Sequence, residues 1–349
     1  MRRPVKIIPP RARRRRRWRQ GRGPLLALVV LSAGLWLAVD HPQALHWGKT
    51  LPWPQHAELN LPAQPQTIAV YNHLTGQIMQ LDWTEYLVGV VAAEMPASFE
   101  LEALKAQAVA ARTFAQSRLQ SPQADANAPY RLTTDPATCQ AWISAQERQN
   151  RWGESFAANE RKLRQAVAET DGEVITYQGA LIEPLYHASC GGGRTESARD
   201  VWGGDRPYLQ SVVCAHPVDK HNQIQTTLTM AQIDARLGSD LSAIPAGAGQ
   251  TKPIVIDRSS ASNRVLDVRI GSQHYSGSAV RQALGLKSAL FACRIDGDQV
   301  TFTTNGYGHG VGMCQYGADY YAKEGLDYRA ILQHYYTGVE IGKIVETGV

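Results

Sequence analysis

The sequence predicts an α+β fold in which an early helical part and a later β-rich part form a cleft. Apolar residues recur at helical spacing between residues 82 and 170, and short alternating runs with glycine turns are more frequent from residue 173 onward. Helices grouped ahead of strands favour this class over a parallel doubly wound sheet. The roughly 280 residues of this region suffice for a large core, either as one extended domain or as two lobes.

One N-terminal transmembrane helix is predicted to precede this fold. Residues 1–22 hold eleven Arg or Lys and no acid, and residues 24–39 carry no charge. A basic flank before an apolar run predicts a cytoplasmic Arg-rich arm at 1–23 and a signal anchor at 24–39, with the remainder outside. The run is short against the about 17–25 residues of a spanning helix, but Arg22 can snorkel. A cleaved signal peptide is the alternative. The bulky residues 35–37 favour a retained anchor.

The charge distribution follows from this topology. The chain carries a net charge of +5, but without the eleven N-terminal cations 25 basic residues face 31 acidic ones, or −6. Nucleic-acid binding is therefore not expected. Residues 40–65 contain five prolines and little periodicity, which predicts a semi-extended linker. We expect a single-pass cell-membrane protein whose C-terminal domain is periplasmic or extracellular.

Two adjacent helices are the best-defined predicted elements. Asp82, with Glu85 three residues later, resembles a capping box and starts the first helix. Pro96 ends it, because a proline disfavours helical backbone at the residue before it. Ser98 is predicted to cap a second helix that runs to Leu119.

The other elements are predicted from alternation, helical spacing and turn residues. The predicted hairpins are Thr67–Tyr71 with Gln77–Leu81 and Glu173–Tyr177 with Ala180–Ala188. The predicted helices are Phe156–Thr170, Thr226–Leu237, Val280–Leu284, Tyr316–Lys323 and Tyr328–His334. The predicted strands are Ile254–Asp257, Val265–Ile270 and Gln299–Thr303.

Glu94 is the candidate catalytic residue. It stands in the last turn of the first helix, and its neighbours from Val90 to Met95 are apolar. The negative end of the helix dipole and the loss of solvent both favour a protonated carboxyl group there. A carboxylic acid kept protonated near neutral pH suits general-acid chemistry. The alternative is a surface residue near a helix end.

Three segments of the chain carry a family resemblance. They are VVAAEMPASFELEALKAQAVAARTFA at 90–115, HASCGGGRTES at 187–197, and NGYGHGVGMCQYGADYYAKEGLDYRAILQHYYTGVEI at 305–341. Together, and in this order, they resemble the SpoIID/LytB domain of the stage II sporulation protein D family. The resemblance implies that residues 66–349 form a SpoIID/LytB-like catalytic domain, continuous or in two lobes.

The resemblance also implies an activity, namely lytic transglycosylation of peptidoglycan glycan strands, preferentially strands without stem peptides. Ordinary glycosidases need two carboxylates. In a lytic transglycosylase the sugar's own C6 hydroxyl attacks and leaves a 1,6-anhydro end, so one acid suffices. Only Glu94 falls at the acid position of the matched motif. The alternative is a non-catalytic amidase enhancer or wall-binding protein that recruits or activates a partner hydrolase. No role in sporulation follows from the family name.

Six residues in the matched segments are predicted to bind substrate: Arg112, Ser189, Thr195, His309, Gln315 and Tyr316. For Arg112, a role in buried scaffolding is the alternative, and for His309 a structural one. The turn Gly191–Gly193 lets backbone approach a sugar closely, or is an ordinary loop.

The five cysteines are Cys139, Cys190, Cys214, Cys293 and Cys314. Disulfides are permitted outside the cytoplasm, and an odd count leaves at least one thiol unpaired. Cys139 with Cys190 is the first predicted pair, because both flank family motifs. Some relatives carry a zinc-binding His…Cys…His-Cys cluster that ends at the position of Cys139. The preceding RLTTDPAT lacks three of those ligands, so we predict no metal and no cofactor. A nucleophile pair of Cys190 and His187 is disfavoured, because neither motif resembles a cysteine hydrolase.

Overall fold

The computed structural model describes residues 57–59, 61–121, 128–243 and 252–344, and their mixture of helices and small sheets confirms the α+β class. The predicted arm and anchor at 1–39 lie outside these residues. Within the described part, no helix is long and apolar enough to cross a membrane.

The described residues contain nine α-helices. They are α1 (Trp83–Glu94), α2 (Leu101–Leu119), α3 (Ala145–Trp152), α4 (Phe156–Glu169), α5 (Ala198–Trp202), α6 (Met230–Leu237), α7 (Gly277–Leu284), α8 (Gln315–Lys323) and α9 (Tyr328–Tyr335).

The strands of this part of the chain are short and form six small sheets. They are β1 (Ala57–Leu59), β2 (Thr67–Asn72), β3 (Gln77–Asp82), β4 (Leu132–Thr133), β5 (Glu173–Tyr177), β6 (Ala180–Leu181), β7 (Tyr186–His187), β8 (Gly193–Arg194), β9 (Val213–Cys214), β10 (Ile224–Thr229), β11 (Ile254–Ser259), β12 (Val265–Ile270), β13 (Gln273–Ser276), β14 (Phe291–Asp296), β15 (Gln299–Thr304), β16 (Met313–Cys314) and β17 (Glu340–Ile344).

The central helix of the first hydrophobic core is α2, which packs against α1, α4, α8, α9 and β5. Its many alanines allow neighbouring elements to approach closely, and thirteen of its nineteen residues are buried. The predicted caps are half right. The Asp82 side chain accepts from the Glu85 N–H at 3.0 Å. Ser98 does not cap α2, because the helix begins at Leu101 and Glu100 is its N-cap residue. The Glu100 N–H donates to Asp319 Oδ1 at 2.7 Å. A residue of α8 therefore caps α2.

The second hydrophobic core lies in the β-rich part. The sheets β10-β15-β14 and β11-β12-β13, with α6 and α7, surround buried side chains such as Val268, Val280 and Phe302. The predicted helix Thr226–Leu237 is wrong in its first four residues, because Ile224–Thr229 forms β10 and pairs with β15. The β-branched residues of that stretch favour a strand. Thr229 does cap α6, since its side chain accepts from the Gln232 N–H.

Two further corrections concern strands. Ala57–Leu59, inside the predicted linker, pairs in parallel with Gly342–Ile344. The predicted strand Ala180–Ala188 is split: Ala180–Leu181 pairs with β5, and Tyr186–His187 pairs in parallel with Met313–Cys314. Pro184 lies between the two parts and has no N–H for a ladder. The split carries β7 to the start of α8, which brings the second matched segment beside the third.

Candidate active site

Glu94 lies at the C-terminal end of α1 and is partly buried. Its Oε1 accepts from the Ala141 N–H at 2.9 Å, and its Oε2 lies 3.5 Å from Gln315 Nε2. Loss of solvent raises the pKa of this carboxyl from an ordinary value of 4.5 to about 7, although both hydrogen bonds lower it. Near neutral pH the group is thus present in both forms, as acid–base catalysis requires.

A groove runs past Glu94 on both sides. A first section of about 640 Å³ and a second of about 570 Å³ meet at Ala93, Glu94, Ala188, Tyr307 and Gln315. A third section of about 740 Å³ continues from the second past Trp202 and His309. A groove with the acid at an internal junction fits a chain-like ligand better than a small molecule.

The groove has aromatic and cationic walls. The first section is lined by Trp152, His221, Tyr307 and Tyr316, together with the side chains of Arg151 and Lys220. Aromatic faces of this kind pack against the apolar faces of ligand rings. Among the described residues that line the first two sections, Glu94 is the only carboxylate. Glu196 and Asp200 line the third section.

A buried network holds the Ala141 N–H in place. The preceding residue, Gln140, donates from Nε2 to the Tyr86 hydroxyl at 2.9 Å and accepts from the Tyr186 hydroxyl at 2.7 Å. Burial raises the pKa of both phenols, so both stay neutral. The residue before Ala141 is therefore fixed by two side-chain hydrogen bonds.

Gln315, Tyr316 and His309 lie in the groove, where the sequence placed substrate-binding residues. Gln315 Nε2 lies 3.3 Å from Gln107 Oε1 as well as near Glu94. The Tyr316 ring makes edge contacts with Phe99 and His221. Their contact with substrate remains a prediction.

His309 is a neutral hydrogen-bonding group. Burial, and then the cations Arg281 and Arg264, lower the pKa of its imidazole to about 4. Its Nδ1 accepts from the Val311 N–H at 3.1 Å, which leaves the proton on Nε2. His309 lines the second and third sections of the groove, and its ring also hydrogen-bonds to the Tyr186 backbone.

The other three predicted substrate residues are buried and line none of the three groove sections. The Arg112 guanidinium donates to the carbonyls of Val167 and Glu173 at 3.1 Å each, which is the scaffolding role. Ser189 Oγ donates to Asp219 at 2.6 Å, and Thr195 Oγ1 accepts from a backbone N–H at 3.0 Å. These hydroxyls stabilise turns.

Comparison with known proteins decides the family. A family model described as "Stage II sporulation protein" matches residues 71–177, which include Glu94 and Ala141. "Stage II sporulation protein D" of Bacillus amyloliquefaciens is 34% identical over 323 residues, 92% of this chain and 91% of that protein. The protein of the same name from Bacillus subtilis (strain 168) is 37% identical over 300 residues, 84% of each chain.

The chain belongs to the stage II sporulation protein D family. The resemblance carried by the three sequence segments is thereby confirmed. A further relative, the "Amidase enhancer" of Bacillus subtilis (strain 168), is 30% identical over 309 residues, 73% of this chain and 40% of that protein. A role connected with the cell wall is consistent with these names.

Several groove residues were missed by the sequence reasoning. Trp152 and Trp202 end α3 and α5, two helices that were not predicted because they are short and polar. Tyr307 stands inside the matched NGYGHG segment, so attention to its aromatic ring would have found it. The Ala141 N–H carries no side-chain signal, and only the fold reveals it.

The cysteine predictions need correction. All five thiols are free in the structure, so the predicted Cys139–Cys190 pair does not form. Cys190 Sγ instead lies 3.2 Å from His216 Nε2. His187 is not its partner, because His187 Nδ1 lies 3.1 Å from the Val311 carbonyl oxygen.

Proposed function

We propose that this chain is a peptidoglycan lytic transglycosylase that cleaves glycan strands, preferentially strands without stem peptides, with Glu94 as its single acid–base group. The observation that carries the proposal is the isolation of Glu94. It is a desolvated carboxyl with a pKa of about 7, and among the described residues no second carboxylate lines the two groove sections that meet there.

The proposed reaction needs two proton transfers, one from Glu94 and one back to it. Protonated Glu94 donates to the oxygen of the glycosidic bond, and the bond to the departing sugar breaks as a cationic transition state develops. The C6 hydroxyl of the remaining sugar attacks the anomeric carbon of the same sugar and gives its proton to ionised Glu94. The product is a 1,6-anhydro end, and the acid is regenerated. A pKa near 7 suits both transfers, because neither protonation state is strongly favoured.

Other groove residues have supporting roles in this proposal. Tyr307 and Tyr316 offer aromatic faces on which sugar rings stack. Gln315 orients the Glu94 carboxyl, and neutral His309 lines the adjoining section, where its ring contacts the strand. Arg112 holds α2 to α4 and β5 and does not contact the strand.

The test compares three full-length proteins purified in detergent: wild type, Glu94→Gln and the matched control Glu100→Gln. Glu100 is exposed, six residues further along, and its side chain makes no cap hydrogen bond. On peptide-free strands we expect wild type and Glu100→Gln to release anhydro products, while Glu94→Gln binds strands and cuts none. Cutting by Glu94→Gln at the wild-type rate would refute the proposal.

We also propose the cellular setting that the sequence predicts. Residues 24–39 would anchor the chain in the cell membrane once, with the groove on the periplasmic or extracellular side, where peptidoglycan is found. Protease protection of the region after residue 40 in spheroplasts, compared with lysed cells, tests this arrangement. Digestion only after lysis would contradict it.

The second candidate is an amidase enhancer, and the relative of that name favours it. In that role the groove surface would bind the wall and a partner amidase, and cleavage by this chain would be absent. Adding Glu94→Gln to a wall amidase separates the two candidates. Undiminished stimulation by the mutant, without anhydro products from wild type, would support the enhancer.

A further inference from the structure

Four metal-ligand side chains meet beneath the glycine-rich turn. Cys190, Cys214, His216 and Cys314 are all buried, and their three sulfurs and one imidazole nitrogen lie within 4.8 Å of one another. His216 Nε2 lies 3.2 Å from Cys190 Sγ and 3.5 Å from Cys314 Sγ. Around a tetrahedral Zn²⁺, bond lengths of about 2.3 Å to sulfur and 2.0–2.1 Å to nitrogen place a sulfur and a nitrogen ligand about 3.5 Å apart.

The histidine is oriented as a metal ligand requires. His216 Nδ1 lies 2.7 Å from the Pro217 carbonyl oxygen, so it carries the proton. The unprotonated Nε2 then presents its lone pair to the three sulfurs. Metal-bound histidines regularly donate their second ring N–H to a carbonyl or carboxylate in this way. This observation is independent of the sulfur cluster.

Hydrogen-bond donors surround the sulfurs. The N–H groups of Cys190 and Gly317 donate to Cys314 Sγ at 3.2 and 3.3 Å, and the second belongs to the first turn of α8. The Tyr335 hydroxyl lies 3.1 Å from Cys214 Sγ. Donors to sulfur and a helix N-terminus stabilise thiolates over thiols. The buried Arg264 guanidinium, which donates to the Cys190 carbonyl at 3.2 Å, adds a positive charge beside the cluster.

We propose that Cys190, Cys214, His216 and Cys314 bind one Zn²⁺ in a closed, structural Cys₃His site. Binding converts three thiols to thiolates and releases three protons to solvent, while the imidazole stays neutral. The bound set carries a net charge of −1, which Arg264 offsets. Four protein ligands leave no position for water, so the metal takes no part in glycan cleavage. A disulfide would use two of the sulfurs and would leave the third thiol and the histidine without a purpose.

The site would join parts of the chain that are distant in sequence. Cys190 follows β7, Cys214 ends β9 with His216 two residues beyond it, and Cys314 caps α8. The residue after Cys314 is Gln315, which contacts Glu94. The metal would thus fix the glycine-rich side of the groove. The proposed site is distinct from the zinc-binding cluster that some relatives carry at the position of Cys139. In the part of the chain that the structure describes, no metal-ligand group forms around Cys139.

The first test measures metal bound to the full-length protein, purified in detergent without chelator or reductant. Elemental mass spectrometry of the acid-digested protein counts the zinc per chain. The proteins compared are wild type, the cluster variants Cys190→Ser and Cys314→Ser, and the controls Cys139→Ser and Cys293→Ser. We expect about one zinc per chain in wild type and both controls, and at least a tenfold loss in the cluster variants. Zinc retained by the cluster variants, or lost in Cys139→Ser, would overturn the proposal.

A second measurement covers variants that fail to fold. Wild-type protein denatured in the presence of a chelator should show five reactive thiols and no disulfide. In a separate sample of folded protein, replacement of Zn²⁺ by Co²⁺ should give thiolate-to-cobalt absorption. A metal-free wild-type protein with a disulfide between any two of Cys190, Cys214 and Cys314 would refute the site. Neither readout depends on glycan cleavage, so the zinc proposal and the proposed activity can fail separately.

Discussion

The two walls of the groove are built in different ways. The helical wall, residues 92–98, follows from local signals: Asp82 starts α1, Pro96 stops it, and Glu94 falls in its last turn. The glycine-rich wall, residues 187–193 with 305–317, is held by contacts between distant segments, such as the bridge between Ser189 and Tyr307. A short sequence can thus position the acid, whereas the surface opposite depends on the whole fold.

The glycines show why the second wall needs its composition. Gly306, Gly308, Gly310 and Gly312 all have positive φ, a region that other residues rarely adopt. At Gly312 a Cβ would also lie 2.0 Å from the Leu185 carbonyl oxygen. The helical wall tolerates ordinary side chains, and the glycine-rich wall tolerates few.

The largest expected effect comes from a substitution that removes the acid and leaves both walls intact. Glu94→Gln keeps the shape of the carboxyl and loses the proton, so the cleavage rate should fall by about 10²–10⁴-fold, the usual contribution of a general acid. Product release from peptide-free strands, followed by mass spectrometry, measures it. Thermal unfolding should show that the variant is folded, and an unchanged rate would remove Glu94 from the mechanism.

The second-largest effect is expected from a substitution that disturbs the glycine-rich wall. Gly312→Ala should lower the free energy of unfolding by about 2–4 kcal/mol, because strain at positive φ adds to a backbone clash. Gly285→Ala is the matched control, since its φ is +70° and nothing lies within 4 Å of the added Cβ.

Denaturant unfolding of both glycine variants separates the two causes. The control should lose only about 1 kcal/mol, the cost of the backbone conformation alone. Equal losses at the two positions would mean that the approach of Leu185 to Gly312 is not a tight contact.

The desolvation of Glu94 in the helical wall should appear as a pH dependence of the free energy of unfolding. The pKa of Glu94 is about 7 in the folded chain and 4.5 ordinarily, so folding favours the protonated form. This contribution to stability is fully present below pH 4.5 and is lost as the pH rises through 7. Glutamine cannot ionise. The stability of Glu94→Gln relative to wild type should therefore increase by about 1–3 kcal/mol between low and high pH.

Urea unfolding of wild type and Glu94→Gln across that pH range measures this difference, with Glu100→Gln as the control. A flat difference would show that Glu94 is solvated. A difference that shrinks as the pH rises would mean that the carboxylate is stabilised by the fold, contrary to a raised pKa.

The smallest effect tests the contact between the walls. Gln315→Leu removes a long hydrogen bond that lowers the pKa of Glu94, so that pKa should rise by about half a unit. The high-pH limb of the cleavage profile should move up by the same amount, with a modest loss of rate. Gln165→Leu, at an exposed position of α4, should leave the profile unchanged. A downward shift would show that Gln315 does not donate to the carboxylate.

The helical side of the groove could be predicted from the sequence more fully than the rest of the fold. The cap at Asp82 and the stop at Pro96 act over a few residues, so α1 could be predicted with its end. The cap of α2 could not, because it comes from Asp319 in another part of the chain. Arg112 looked available for a sugar, since nothing in its neighbours reveals that its guanidinium meets the Val167 and Glu173 carbonyls.

The same distinction applies to the site. Glu94 was found from an apolar helix end and a family motif, whereas the Ala141 N–H that contacts it has no side chain to recognise. The cysteines were the largest error, because Cys190, Cys214 and Cys314 are far apart in sequence and two strand pairings, β7 with β16 and β8 with β9, bring them together with His216. Spacing reveals metal sites that are local, and this one is not.

The most direct test of the single-acid mechanism is the origin of the oxygen at each new chain end. Wild-type protein should digest peptide-free strands in oxygen-18 water, with the new ends read by mass spectrometry. Intramolecular attack by C6 predicts anhydro ends that carry no oxygen-18. Reducing ends that carry oxygen-18 would contradict the account, because water would then be the nucleophile and a second carboxylate, Glu196 or Asp200 in the third section, would be required.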